Sequence, residues 1–230
     1  MSETAYHRLS LALFALGVFL VLIAWYQVFV VVPTERTMGV IQRIFYIHLP
    51  SAFVAFSAFF VVFVASVAYL LTRRLRWDWV AASAAEVGII SCIAVLITGP
   101  IWAKPVWGMW WTWDARLTST LVLFLIYMGY LLLRHYVDES DRRARLAAVF
   151  GILGFVDVPI VYMANRWFRT QHPQPVIAGG EGSGLDPQMW TGLLWCVAAM
   201  FTWNIFLFVQ RYRLERTREE FIELARRARV

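Results

Sequence analysis

Six long apolar runs alternate with short polar breaks along this chain. They extend from Leu9 to Val32, from about Leu49 to Thr72, Trp79 to Thr98, Leu117 to Leu133, Leu146 to Met163 and Met189 to Val209. A membrane-spanning helix needs roughly 20 predominantly apolar residues, so each run predicts one span. The first is too long for a signal-peptide core and lacks a small-residue cleavage site, which predicts a retained helix. Pro159 interrupts the fifth and predicts a kink. The expected fold class is therefore all-α: a polytopic membrane protein of six transmembrane helices.

Charge orients the spans. Arg8, the cluster Arg73, Arg74 and Arg76, the stretch from Arg134 to Arg145 and the arginine-rich tail fall on alternate breaks. The other three breaks, Pro33–Tyr46, Pro100–Arg116 and Ala164–Gln188, each carry two Lys or Arg residues. The positive-inside rule then predicts both termini in the cytoplasm and these three loops outside. The net charge of +6 would suggest nucleic acid in a soluble chain. Its concentration in the inner breaks argues against a nucleic-acid partner. The tail, at about 211–230, places Phe221, Leu224, Ala225 and Ala228 at helical spacing, which predicts a basic amphipathic helix against the lipid of the inner leaflet. The chain thus reads as one six-span unit over 1–230. The glycine-rich GGEGSG near its sixth span reads as flexible loop.

Hydrophobic residues make up 60% of the chain and charged residues 16%, which excludes an ordinary soluble domain. Cys92 and Cys196 lie far apart inside apolar runs, with no CxxC or CxxCH. Thiol–disulfide chemistry and a covalently attached c-type haem are both disfavoured. No GxxxxGK[ST] sequence is present, so any use of ATP falls to another subunit.

The second outer loop carries a concentration of rings. Between about 100 and 118 lie Trp102, Trp107, Trp110, Trp111 and Trp113, five of the twelve tryptophans. Pro100, Pro105 and Gly108 predict a broken segment there rather than one continuous helix. An interfacial aromatic belt would explain one or two of these tryptophans. Five, interleaved with Lys104, Asp114 and Arg116, favour a platform for a large flat apolar ligand.

Of the four histidines, His7 and His135 sit at inner ends of spans and read as interfacial. His48, in RIFYIHLPSA with Pro50 opening the second helix, and His172, in RTQHPQP, fall in the outer breaks flanking the tryptophan platform. Imidazole is a common metal ligand, haem iron included, and the further ligands a zinc site would need are missing. Two histidines on one side of a flat aromatic surface are candidate axial ligands. Arg116, Lys104, Arg43, Arg166 and Arg169 are candidates for pairing with carboxylates of such a ligand. Asp114 could orient Arg116 or cap the fourth helix. Two intramembrane acids, Glu86 and Asp157, complete the polar inventory.

These residues carry a resemblance. WGMWWTWDARLT resembles the tryptophan-rich WWD signature of the haem-handling membrane proteins of cytochrome c biogenesis, and RIFYIHLPSA resembles that family's outer histidine motif. LITGPIWAKPVWG and FVDVPIVYMANRWFRTQH extend the likeness over nearly the whole chain, and the length and six-span layout are similar to the family's shorter branch. The resemblance implies haem b held on the outer face of a bacterial inner membrane, with His48 and His172 as axial ligands. Trp107, Trp110, Trp111, Trp113, Asp114 and Arg116 then belong to the haem site. It also implies presentation of haem to a membrane-anchored haem chaperone, maturation protein E, during cytochrome c maturation. Expected companions are ATP-binding-cassette subunits and a small single-span subunit. A transmembrane haem transporter subunit and a b-type electron carrier are the alternatives. The absence of histidine from the middle of any span disfavours the second, and sparse polar lining through the membrane disfavours the first. No classical enzymatic activity is implied.

Overall fold

The computed structural model describes residues 3–172 and 184–228, and these are helical nearly throughout. Seven helices follow in order: α1 Glu3–Tyr26, α2 Phe45–Thr72, α3 Leu75–Trp107, α4 Ala115–Tyr136, α5 Ser140–Phe155, α6 Asp157–Trp167 and α7 Pro187–Arg227. One wide turn of π type, Gln27–Val31, extends α1, and one 3-10 turn, Val40–Ile44, leads into α2. With α5 and α6 counted as one broken span, six helical segments among the described residues are long and apolar enough to cross a membrane. Residues 173–183, which include most of GGEGSG, lie outside the described residues.

Several boundaries differ from those expected. The second helix opens five residues before Pro50, which lies inside it, so His48 sits in the opening turn rather than in a loop. The third helix runs on through Pro100 and Pro105 to Trp107, which corrects the expectation of a broken segment from residue 100. Each proline removes only one N–H donor, and α3 has many turns of intact ladder below them. What stops α3 is Gly108, at φ +78°, whose N–H meets the Lys104 carbonyl at 3.0 Å. A left-handed residue just past the last turn is a common helix stop, and glycine adopts it without steric cost. The non-helical part of the tryptophan segment is therefore short, from Gly108 to Asp114.

The break between α5 and α6 falls at Val156, three residues before Pro159. That places Pro159 in the first turn of α6, where its missing N–H would have had no helical partner. Asp157 sits at this break, and its Oδ2 is buried without a hydrogen-bond partner among the described residues.

At the centre, α2 packs along α3, with α5 against α2 and α4 against α3. Phe59 stacks on Tyr127, ring centres 3.8 Å apart and planes within 11°. Gly88 makes room for it, since a Cβ there would come within 2.5 Å of the Phe59 ring. The first helix rests mainly on α7 and turns Phe14, Phe19, Leu22 and Trp25 outward, as a lipid-facing helix does.

The tail does not form a separate element. It continues α7 as one helix of 41 residues, with Phe221 and Leu224 exposed and Glu215 and Glu219 buried. Those two acids, one turn apart, face the arginines of α4 and α5: Glu219 pairs with Arg143, and Glu215 lies 3.9 Å from Arg134. Arg134 also holds Asp78 with both guanidinium nitrogens, Nη2 at 3.0 Å. Glu86 pairs with Arg211, so the intramembrane acid of α3 is neutralised by the same helix.

Candidate functional site: a cavity between two histidines and the tryptophan segment

Opposite the ion-paired end, α2, α3, α4 and α6 diverge around a cavity of about 970 Å³, its open side included. Its lining is largely aromatic and aliphatic with a few polar groups, the character of a cleft for a flat apolar ligand. His48, His172, Trp102, Trp107, Trp111 and Arg116 line its mouth. Ala52, Ala55, Cys92, Leu96 and Leu123 line its depth. The walls are apolar, and the polar groups gather at the rim.

The two histidines come from distant parts of the chain and meet. Their ring centres lie 6.3 Å apart, with planes inclined by 33°. His48 projects from the opening turn of α2. Its ring is held by the edge of Trp102 at 5.9 Å and by Thr98 of α3, whose Oγ1 lies 2.9 Å from Nδ1. The Thr98 hydroxyl gives its proton to the Ala94 carbonyl at 2.6 Å. Its oxygen is thereby left to accept from His48 Nδ1–H, and the lone pair of His48 falls on Nε2.

His172 follows α6. Its Nδ1 lies 3.3 Å from Nδ2 of the buried Asn165, and the Asn165 Oδ1 accepts from Arg116 Nη1 at 3.1 Å. Arg116 is the second residue of α4, and that helix is positioned by Asp114. The Asp114 carboxylate accepts from the Arg116 and Leu117 N–H groups, both at 3.0 Å, and from Thr112 Oγ1 at 2.8 Å. This is an N-cap in full. Asp114 thus fixes the start of α4, and Asn165 takes the Arg116 side chain.

The tryptophans divide. Trp107 and Trp111 line the cavity, and so does Trp102. Trp111 Nε1 is buried without a hydrogen-bond partner among the described residues. Trp110 and Trp113 are 57% and 70% exposed and lie outside the cavity wall. Trp113 meets Trp111 edge-on at 5.6 Å and adopts φ +52°, a left-handed backbone unusual for so large a residue. That turn directs its ring away from the cavity and toward the surface.

Three of the other four basic candidates have partners away from the cavity, and the fourth, Arg169, is exposed. Lys104 Nζ donates to the Gly108 carbonyl at 2.9 Å, Arg43 lies over the Phe29 ring, and Arg166 over Tyr162. Met38 reaches the cavity from the loop between α1 and α2. Glu35 braces that loop by accepting from the Met38 and Thr37 N–H groups. Those two donors, Met38 first, hold its carboxyl below the usual carboxylate range. Thr98 and Asn165 are the contributors to the histidine surroundings that motif reasoning did not assign a role. A threonine or asparagine near the end of an apolar run carries no local sign of a cross-helix partner.

The whole of this arrangement falls within a family match. The family model described as Heme exporter protein C matches residues 2–227. Heme exporter protein C of Bradyrhizobium diazoefficiens is 34% identical over 201 residues, covering 86% of this chain and 76% of that protein. The protein of the same name in Escherichia coli K12 is 31% identical over 196 residues, 83% of this chain and 77% of its own length. A ccmC-like mitochondrial protein of Marchantia polymorpha, named for cytochrome c biosynthesis, is 31% identical over 195 residues, 85% of this chain and 82% of its own.

Proposed function

The chain belongs to the haem exporter protein C family, a multi-pass inner-membrane family that handles haem in cytochrome c biogenesis, and from that premise we propose how this chain holds its cargo. Haem b sits in the cavity at the tryptophan end, with His48 and His172 as the two axial ligands. The observation that carries this is the spacing of the rings. An imidazole nitrogen binds a first-row metal at about 2 Å, and its ring centre lies roughly 1 Å further back, so two trans imidazoles place their centres about 6 Å apart. The two histidine rings here are separated by 6.3 Å.

The surroundings support the same reading. Trp107 and Trp111 offer flat apolar area at the mouth, and the alanines and leucines below accept the macrocycle's hydrocarbon edge. Arg116, on the rim, is the cation available for a haem carboxylate, an interaction strengthened by the charge on both partners. His48 offers Nε2 to the iron because Thr98 occupies its other nitrogen.

The exposed pair Trp110 and Trp113 supplies the second half of the function. Rings standing clear of the cavity contribute little to holding haem and form a surface beside its mouth. A membrane-anchored haem chaperone, maturation protein E, docks there and takes haem from the cavity. The clustered charges at the opposite end face the cytoplasm by the positive-inside rule, the side on which ATP-binding-cassette subunits would engage. The small single-span subunit completes the assembly.

The absorption spectrum of the purified protein tests this directly. Co-purifying haem with a six-coordinate, low-spin bis-imidazole spectrum is expected. A spectrum indifferent to replacement of both His48 and His172 would overturn the ligand assignment.

A further inference from the structure

The loop between α1 and α2 sends one side chain, Met38, to the cavity, and the loop is built to present it. Its entry is fixed by Val32, 3% exposed, which packs with Phe45, Tyr46 and Leu193. Its exit is fixed by the buried Gln42, whose N–H meets the Gly39 carbonyl at 3.3 Å. Between those anchors Glu35 closes the turn twice. Its carbonyl accepts from the Gly39 N–H at 3.1 Å, and its carboxylate accepts from the Thr37 N–H at 2.8 Å and from the Met38 N–H. Gly39 takes φ +63°, a left-handed conformation that glycine adopts freely, and turns the chain toward α2. At the tip, Arg36 and Thr37 are exposed and Met38 is half-buried. Of the three, only Met38 turns inward.

We propose that Glu35 is a positioning residue: by closing this turn it holds Met38 over the cavity mouth, and Met38 sets how fast haem enters and leaves. The proposal rests on haem occupying that cavity. By the positive-inside rule the loop lies on the outer side with the tryptophan segment, so Met38 stands at the open side and not at the floor. A flat ligand passing that side must displace whatever covers it. Methionine suits the task, being unbranched, with three rotatable bonds and a polarizable sulfur that packs favourably on rings. It swings aside without moving the backbone that carries it. The backbone is kept in place by the Glu35 carboxylate, a strong acceptor for N–H groups. Cover and ligands then act on different quantities. His48 and His172 determine how tightly the iron is bound. A cover raises the barrier that both directions share, so it slows loading and loss together and leaves affinity nearly unchanged.

Two rates measured on the purified protein test this: haem uptake by the haem-free chain, and haem loss to a competing apo-globin. Met38→Ala is expected to raise both several-fold, with the dissociation constant and the absorption spectrum close to the parent's. Met38→Leu, which keeps the covering area, should behave as the parent. Glu35→Ala should reproduce Met38→Ala, and the two together should be no faster than either alone. Glu35→Asp should restore the parent's rates, because a shorter carboxylate still reaches the N–H groups two and three residues on. The haem-free chain gives a further reading. Met38→Cys should react slowly with a charged thiol reagent and faster once Glu35→Ala is added, against a low background from the buried Cys92 and Cys196. Parent-like rates in Met38→Ala, or further acceleration when Glu35→Ala is added to it, would overturn the proposal. So would an affinity loss as large as the gain in the rate of haem loss, which would make Met38 a contact and not a cover. Spectra indifferent to His48→Ala and His172→Ala would instead place haem outside this cavity, a separable failure.

Discussion

Arg134 and Arg116 lie at opposite ends of the same helix, α4, and they are treated differently. Arg134 is 9% exposed and enclosed by Asp78, Glu215 and the face of Tyr130. Around it Arg143 meets Glu219, Arg211 meets Glu86, and Tyr69 donates to the Asp141 carboxylate at 2.9 Å. At that end charge meets charge within the chain, and α3, α4, α5 and α7 are tied together. Arg116 has an amide oxygen for its partner and a cavity before it. A guanidinium paired with a neutral group at the rim of an apolar cleft retains its capacity for an anion. The comparison separates charge that holds the bundle from charge that is left for a ligand.

The largest effect should come from the closed end. Removing one partner of a buried ion pair typically costs about 3–5 kcal/mol, because the other charge is left desolvated. Arg134→Ala should therefore lower the unfolding temperature in detergent by many degrees and cut the yield of folded protein. The haem bound per folded molecule should not change. A variant as stable as the parent would show that this network is not what ties the helices. Arg143→Ala should act in the same direction and less strongly, since it removes one acidic partner rather than two.

At the open end the expected effects invert. Arg116→Gln should leave the unfolding temperature within a few degrees and weaken haem retention about 10- to 100-fold, the value of one charge-assisted hydrogen bond. Haem retention measured by dilution into a competing apo-globin checks this. Unaltered retention would remove Arg116 from the carboxylate site.

Those two ends differed in how far the sequence disclosed them. Arginine counts and six apolar runs were enough to place His48, His172 and the tryptophans on one side, because topology alone decides which breaks share a face. The closed end was less legible. Glu215 and Glu219 sit in a stretch crowded with arginines, where an i,i+4 acidic pair reads as a solvated helix face. Only the uninterrupted course of α7 shows that they face α4 and α5. Pro100 and Pro105 misled in the opposite direction, since a helix long enough to keep its ladder tolerates them and Gly108 sets the true boundary. The Thr98 and Asn165 contacts depend on helix rotation, which hydrophobic periodicity fixes too loosely to read.

A smaller effect sharpens the comparison within the tryptophan segment. Trp111→Phe should weaken haem retention several-fold, because the Trp111 ring lines the cavity. Trp110→Phe and Trp113→Phe should leave retention unchanged and slow covalent loading of the chaperone, assayed side by side in membranes. Equal behaviour of all three would erase the distinction between wall and rim. The smallest effect belongs to Asp114. Asn is as good an N-cap as Asp, so Asp114→Asn should cost only a few tenths of a kcal/mol, whereas Asp114→Ala should cost about 1 kcal/mol.

The central claim is that His48 and His172 together hold the iron, and the low-spin absorption bands of haem in purified variants test it most directly. His48→Ala and His172→Ala should each convert the spectrum to a five-coordinate form, and the double variant should retain no haem through purification. His7→Ala and His135→Ala, at the other end of the bundle, should match the parent. A double variant that keeps the parent's low-spin spectrum at normal haem content would contradict the account.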